Sequence, residues 1–147
     1  AIIVLERDSR LTDIVDSGTP VDAVVSRRLL ESIFYPYSPL HDGAVILSQD
    51  RIVAASCFLP LSINAELPRE LGTRHRAAVG VTEESDAIAV VVSEETGTIS
   101  LVVGGVITRH LDGGVLRQRL SQLMGPPSRG LDRGKSKAEA TASPVAK

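Results

Sequence analysis

Ile99-Ser100-Leu101-Val102-Val103-Gly104-Gly105-Val106-Ile107-Thr108-Arg109-His110 decides the fold class. Two apolar, β-branched runs flank a Gly-Gly pair. The two-residue turn that closes a hairpin needs positive φ at its centre, which glycine adopts without strain. Two antiparallel strands follow. Upstream, residues 87–93 form a dense apolar run of strand length, and residues 45–48 and 52–58, split by Gln49-Asp50-Arg51, read as a second hairpin. Residues 1–6 and 21–25 are two further short strands. Helical segments lie between them. Residues 11–17 stop at Gly18-Thr19-Pro20. Residues 27–35 follow the N-cap Ser26 and place Leu29, Leu30, Ile33 and Phe34 on one face. A third helix starts near Thr73 and runs to about residue 83, and a fourth, residues 115–124, follows an Asp112 cap. Helices interleave with strands, yet two connections are hairpins. The expected fold is therefore α/β, with a mixed central β-sheet flanked by helices in a single globular domain.

That domain is expected to span residues 1–124, with residues 125–147 a disordered C-terminal tail, since the stretch from Pro126-Pro127 onward shows no hydrophobic period. At 147 residues the chain has the length of one domain, and 43% apolar residues suffice for an aliphatic core. Phe34, Tyr35, Tyr37 and Phe58 are the only aromatics, too few for a platform that stacks single-stranded nucleic acid. Charge argues the same way. The net charge is −2, but residues 125–147 hold five of the 16 basic side chains and two of the 18 acidic ones, leaving residues 1–124 at about −5. A net-acidic body lacks the clustered basic face of a nucleic-acid binder. No apolar run approaches the roughly 20 residues of a membrane span. The lone Cys57, inside Ala54-Ala55-Ser56-Cys57-Phe58-Leu59, reads as a small buried hydrophobe and the chain as cytosolic. The sequence opens on Ala1 without a basic leader region, and a natural N-terminus further upstream is expected.

Phosphate-loop, dinucleotide and zinc-ligand signatures are absent. Three other segments carry polar groups at element termini. His41-Asp42-Gly43-Ala44 enters a strand from a loop bounded by Pro36 and Pro39. A carboxylate there, followed by a glycine that admits close approach, suits a divalent metal or a general base, although Asp-Gly is also a common turn. Gly72-Thr73-Arg74-His75-Arg76 places two guanidiniums and an imidazole in the first turn of a helix that Thr73 would cap. Cations oppose the dipole there, so an anion such as a polyphosphate would resolve the conflict; pairing with Glu70, Glu83 or Glu84 is the alternative. Ser93-Glu94-Glu95-Thr96 offers carboxylates at a strand end, or simply a solvated turn.

Taken together, Leu40-His41-Asp42-Gly43-Ala44, Glu70-Leu71-Gly72-Thr73-Arg74-His75-Arg76-Ala77-Ala78 and Val92-Ser93-Glu94-Glu95-Thr96-Gly97 resemble the catalytic domain of bacterial diadenylate cyclases, in particular the membrane-associated class. The resemblance spans about residues 2–124. It implies a mixed sheet flanked by helices and a nucleotidyltransferase that joins two ATP molecules into cyclic di-AMP with release of two pyrophosphates. Mg²⁺ or Mn²⁺, or Co²⁺, would be required. Asp42 would be the catalytic carboxylate, with Gly43, Arg74, His75 and Arg76 completing the catalytic set. Ala44, Phe58, Leu59, Gly72, Thr73, Ser93 and Glu94 would join them in binding ATP, Phe58 and Leu59 bounding the adenine. His41, Glu94 and Glu95 would assist Asp42 at the metal. The implied partners are ATP, cyclic di-AMP and a second copy of the chain, with no nucleic acid. Membrane contact, at the cytoplasmic face of the plasma membrane, would come through N-terminal helices outside this chain. A non-catalytic nucleotide-binding module and a metal-dependent phosphohydrolase are the rival readings. A polar pocket rim is expected, and with it a weak encounter between two acidic bodies.

Overall fold

The computed structural model describes residues 1–125, and the expected tail lies almost wholly outside the described residues. The described residues divide into two units, Ala1–Leu111 and a second that starts at Asp112. In the first, the described strands are β1 (Ile2–Glu6), β2 (Thr19–Val24), β3 (Ala44–Ser48), β4 (Arg51–Cys57), β5 (Ile88–Val92), β6 (Ile99–Val103) and β7 (Val106–Leu111). They form one sheet in the order β2-β4-β3-β1-β5-β6-β7. β1 pairs parallel with β3, Ile2 opposite Ala44 and Glu6 opposite Ser48, whereas the other neighbours are antiparallel. The sheet is mixed, as the alternation of hairpins and helices requires.

The parallel step forces a crossover, supplied by helix α1 (Thr12–Asp16), β2 and helix α2 (Arg27–Phe34). Ser26 caps α2, its hydroxyl accepting from Leu29 N–H at 3.1 Å. α2 brings Ile33 onto Val45, Ile52 and Ala55. Their chain neighbours Ala44, Ile46 and Ala54 point the other way, into the main cluster with Val4, Ala89, Val91 and Val102. Helix α3 (Thr73–Glu84) adds Ala78, Val79 and Val81 to that cluster. In the second unit, helix α4 (Gly113–Met124) is capped by Asp112, whose Oδ1 accepts from Val115 N–H at 2.8 Å.

One strand starts earlier than the sequence suggests. β2 begins at Thr19 and includes Pro20, which reads as a breaker. β2 is an edge strand, hydrogen-bonded to β4 alone, the position in a sheet where proline is tolerated, and its register against β4 shifts between Pro20 and Ala23.

Gly18, which follows α1, packs against β4: a Cβ there would collide with Cys57 Sγ and lie 2.5 Å from the Ala55 carbonyl oxygen. Both partners are buried, so neither can yield cheaply. Gly18→Ala is expected to destabilise the fold by about 1–3 kcal/mol, the range for overpacking a core. Urea unfolding would show this as a lower midpoint at unchanged slope, and an unshifted midpoint would refute the contact.

Candidate active site

Residues 35–42 form a loop held by its own backbone. Ser38 N–H donates to the Tyr35 carbonyl at 2.8 Å and His41 N–H to the Ser38 carbonyl at 3.2 Å. The same Ser38 carbonyl accepts from His41 Nδ1 at 2.8 Å. A carbonyl can only accept, so Nδ1 is the donor and Nε2 is the ring nitrogen left for a ligand. Asp42 follows, exposed. Gly43 has φ +96°, and a Cβ there would lie 2.8 Å from the Cys57 carbonyl oxygen and 2.9 Å from the Ser56 carbonyl carbon. Only glycine lets Asp42 turn into β3 this close to β4.

Across a cleft of about 170 Å³ from Asp42 stands the start of α3. Asp42, Gly43 and Ala44 line one side, Thr73, Arg74 and Ala77 another, and Phe58, Leu59 and Leu61 a third, over a floor of Ile2 and Cys57. Three segments widely separated in sequence thus converge. A larger cleft of about 490 Å³ opens near Ser9–Ile14 and Pro60, but it gathers none of the motif residues.

Thr73 is the first helical residue of α3 and not its cap. Gly72 holds the cap position in an extended conformation, and no side chain caps the helix. Its carbonyl accepts from Arg76 N–H at 3.2 Å, which leaves the first-turn N–H groups for a ligand. Arg74 Nη2 pairs with Glu94 Oε2 at 2.9 Å, so the partner of this guanidinium is none of the glutamates expected from the sequence. Glu94 sits in the turn after β5, where Gly97 N–H donates to the Ser93 carbonyl at 2.9 Å and Thr96 N–H to the Ser93 hydroxyl at 3.3 Å. Glu94 reaches the cleft rim through Arg74, while Ser93 is engaged within its own turn and Glu95 is exposed.

His75 and Arg76 are not among the cleft-lining residues. Two positions along a helix rotate a side chain by about 200°, so Arg74 and Arg76 cannot share one face. Arg76 Nη2 lies 3.5 Å from the Pro68 carbonyl. His75 is buried, and its Nε2 has no hydrogen-bond partner among the described residues, as is true of Ser100 Oγ and Arg109 Nε. Burial lowers the His75 pKa below its ordinary 6.5, and the Arg109 guanidinium and the chain's first amino group add to this. Burial also pushes the Cys57 thiol up to about 11, which fits a packing residue and not a nucleophile. Ile2, Cys57, Leu61 and Ala77 line the cleft without having been singled out as site residues; in sequence they are indistinguishable from core.

Among the described residues no group of three or more His, Cys, Asp or Glu side chains could hold a metal ion. Glu94 and Glu95 do not join Asp42 in a protein-only cage. Asp42, with His41 Nε2 next in sequence, is a set of one or two donors. That number suits a Mg²⁺-like ion that takes its other ligands from substrate phosphates and water.

Residues 1–107 match the family model DAC, described as DisA bacterial checkpoint controller nucleotide-binding. The chain belongs to this family. Among DAC relatives, cyclic di-AMP synthase CdaA of Bacillus subtilis is 47% identical over 120 residues, 82% of this chain and 44% of that protein. A diadenylate cyclase of Listeria monocytogenes is 50% identical over 111 residues, 76% of this chain and 41% of that protein. The chain spans about half the length of such relatives or less. A crystal structure of a double cysteine mutant of DacA from Staphylococcus aureus superposes with a TM-score of 0.82 at 43% identity, covering 84% of this chain and 83% of that one. A hypothetical membrane spanning protein from Bacillus cereus gives 0.73 at 48% identity, with 76% and 55% covered. The DAC family is metal-dependent. No helix among the described residues is long and apolar enough to cross a membrane.

The buried imidazole sets a pH dependence. Below pH 6.5 the unfolded chain takes up a proton that folded His75 refuses, so stability is full above 6.5 and falls as pH drops below it. The melting temperature of the wild type is expected to fall more steeply between pH 6.5 and 5 than that of His75→Gln. Parallel curves would mean that the folded ring protonates freely.

Proposed function

We propose that the chain is the catalytic domain of a diadenylate cyclase, which condenses two ATP molecules into cyclic di-AMP and two pyrophosphates. One observation carries the reading: a single cleft gathers Asp42-Gly43-Ala44 and Thr73-Arg74, from two of the three segments by which the sequence resembles that enzyme class, together with Phe58-Leu59. Relatives of this chain carry the names diadenylate cyclase and cyclic di-AMP synthase.

Each residue's role follows from its place. The uncapped start of α3 and Arg74 bind the polyphosphate through N–H groups and a guanidinium. Thr73 adds a hydroxyl. Gly43 lets the nucleotide approach the backbone, and Phe58, Leu59 and Leu61 cover the adenine. Asp42 takes or orients the proton of the 3′-hydroxyl that attacks the α-phosphate of the facing nucleotide. Asp42 and His41 Nε2 would hold the divalent ion, Mg²⁺, Mn²⁺ or Co²⁺, which supplies neutralisation of phosphate charge. Glu94 is a counter-charge that the arriving triphosphate displaces from Arg74 or that turns to the ion. Phosphoryl-type transfer relies on alignment and charge neutralisation, so no activated nucleophile is needed on the protein.

One subunit carries one such cleft, and ring closure takes two attacks in opposite senses. Two copies therefore face each other across a two-fold axis in the active state. The rim is less polar than the sequence suggests: Phe58 is 75% exposed and Leu61 54%, and Ile63, two residues beyond Leu61, is 99% exposed. That apolar surface favours the encounter against the repulsion of two acidic bodies. The longer protein places this domain at the cytoplasmic face of the plasma membrane, consistent with the likeness to a protein described as membrane spanning.

Two measurements test the reading. With ATP and Mn²⁺ the wild type should yield a cyclic dinucleotide, and Asp42→Asn should lower the rate by about 100-fold or more while binding ATP normally, the scale of a lost general base. A linear product, or wild-type turnover in Asp42→Asn, would sink the assignment. Initial rate per enzyme should rise with enzyme concentration before levelling off. Strict proportionality with a monomeric mass would remove the face-to-face arrangement.

A further inference from the structure

The wall of the cleft formed by Phe58, Leu59 and Leu61 belongs to a loop without regular structure, yet it is not loose. Pro60, between the lining residues, sets its carbonyl against Gly80 of α3, where any Cβ would collide with it. Two residues on, Ser62 is only 8% exposed. Its N–H donates to the Arg76 carbonyl at 3.0 Å. Its hydroxyl donates to Glu83 Oε2 at 3.2 Å and accepts from Asn64 N–H at 3.1 Å. The Ser62 hydrogen-bonding groups on the α3 side are thus engaged, at two heights along one helix. Glu83 is held in turn: the β6–β7 turn crosses its side chain at Gly105, where a Cβ would lie 3.0 Å from Glu83 Cγ.

α3 is the helix whose first turn carries Thr73 and Arg74. We propose that Ser62 is a positioning residue of the nucleotide cleft, fixing the apolar wall to α3 so that base-covering and phosphate-binding sides keep one separation. The inference rests on the proposed nucleotide site. Ser62 does not itself line the cleft; it acts through Leu61 and Pro60 on one side and through Arg76 and Glu83 on the other. A wall free to move away would have to be ordered on each binding event, which weakens binding without altering the aligned reacting groups.

The test compares Ser62→Ala and Glu83→Ala with Ser62→Thr and Glu83→Gln, which keep a hydroxyl and an acceptor. Both alanine variants should raise KM for ATP, and the calorimetric Kd for ATP, by about 3- to 10-fold, the worth of one hydrogen bond. Their kcat should stay within about twofold, and the conservative variants should resemble wild type in both constants. Simple loss of folded protein gives the opposite split, a lower apparent kcat at unchanged KM. Glu83 is exposed, so Glu83→Ala folds even where Ser62→Ala does not. Unchanged KM and Kd in folded Glu83→Ala and Ser62→Ala, with wild type active, overturns the positioning role alone. Wild type that binds no ATP overturns the nucleotide reading and this inference with it.

Discussion

Because β1 and β3 run parallel while β4 and β5 run against them, the N-terminal ends of one pair and the C-terminal ends of the other share one edge of the sheet. Asp42 enters at the start of β3, Phe58 leaves at the end of β4, and Ser93 and Glu94 leave at the end of β5. An all-parallel sheet would have scattered these termini to opposite edges. The parallel contact is also the costly one, since it obliges the chain to run out through α1, β2 and α2 before returning beside β1. Buried side chains on both faces of β3 repay that excursion: Val45 against the α2 side, Ala44 and Ile46 against the α3 side.

The cleft at that edge has an electrostatic logic. Its cationic side is a helix start without a capping side chain or an acidic residue in its first turn, where helices normally place both. Such a terminus is underused by the protein itself. Arg74 lends its charge to Glu94, a pair with Arg74 half-buried and Glu94 exposed, in which solvent screens the attraction and leaves it open to competition from a stronger anion. The unfavourable local sequence and the internal partner belong together: the fold leaves this helix start open to an anion, in the cleft that Asp42 also lines.

The fold was legible wherever period or punctuation is local. Gly104-Gly105, Gln49-Asp50, Ser26 and Asp112 mark turns and caps by side-chain chemistry that acts within four residues, and the structure has elements starting or ending beside each. Pro20 misleads because its effect depends on whether the strand is at an edge, which is a tertiary fact. The same limit applies to the site. His75 is flanked by Arg74 and Arg76 in one motif, and nothing local says that it turns inward, where burial lowers its pKa, while Arg74 lines the cleft. The positive φ of Ser56, beside the irregular pairing of β4 with β3, has no sequence signal, yet it accompanies the close approach that makes Gly43 obligatory.

Exposure along the β4–α3 loop bears on the same cleft. Ile63 projects 99% into solvent from a loop pinned by Ser62 one residue earlier. An isolated exposed isoleucine needs no explanation, but Phe58 and Leu61 stand exposed on the same loop, and both line the cleft. A rigid apolar rim costs little ordering entropy when it is covered, and it excludes water from whatever chemistry occurs beneath it. Under the proposed reaction the covering body is a second copy bearing the same rim. The loop that shapes the base-covering wall would then also carry exposed residues of the contact between half-sites.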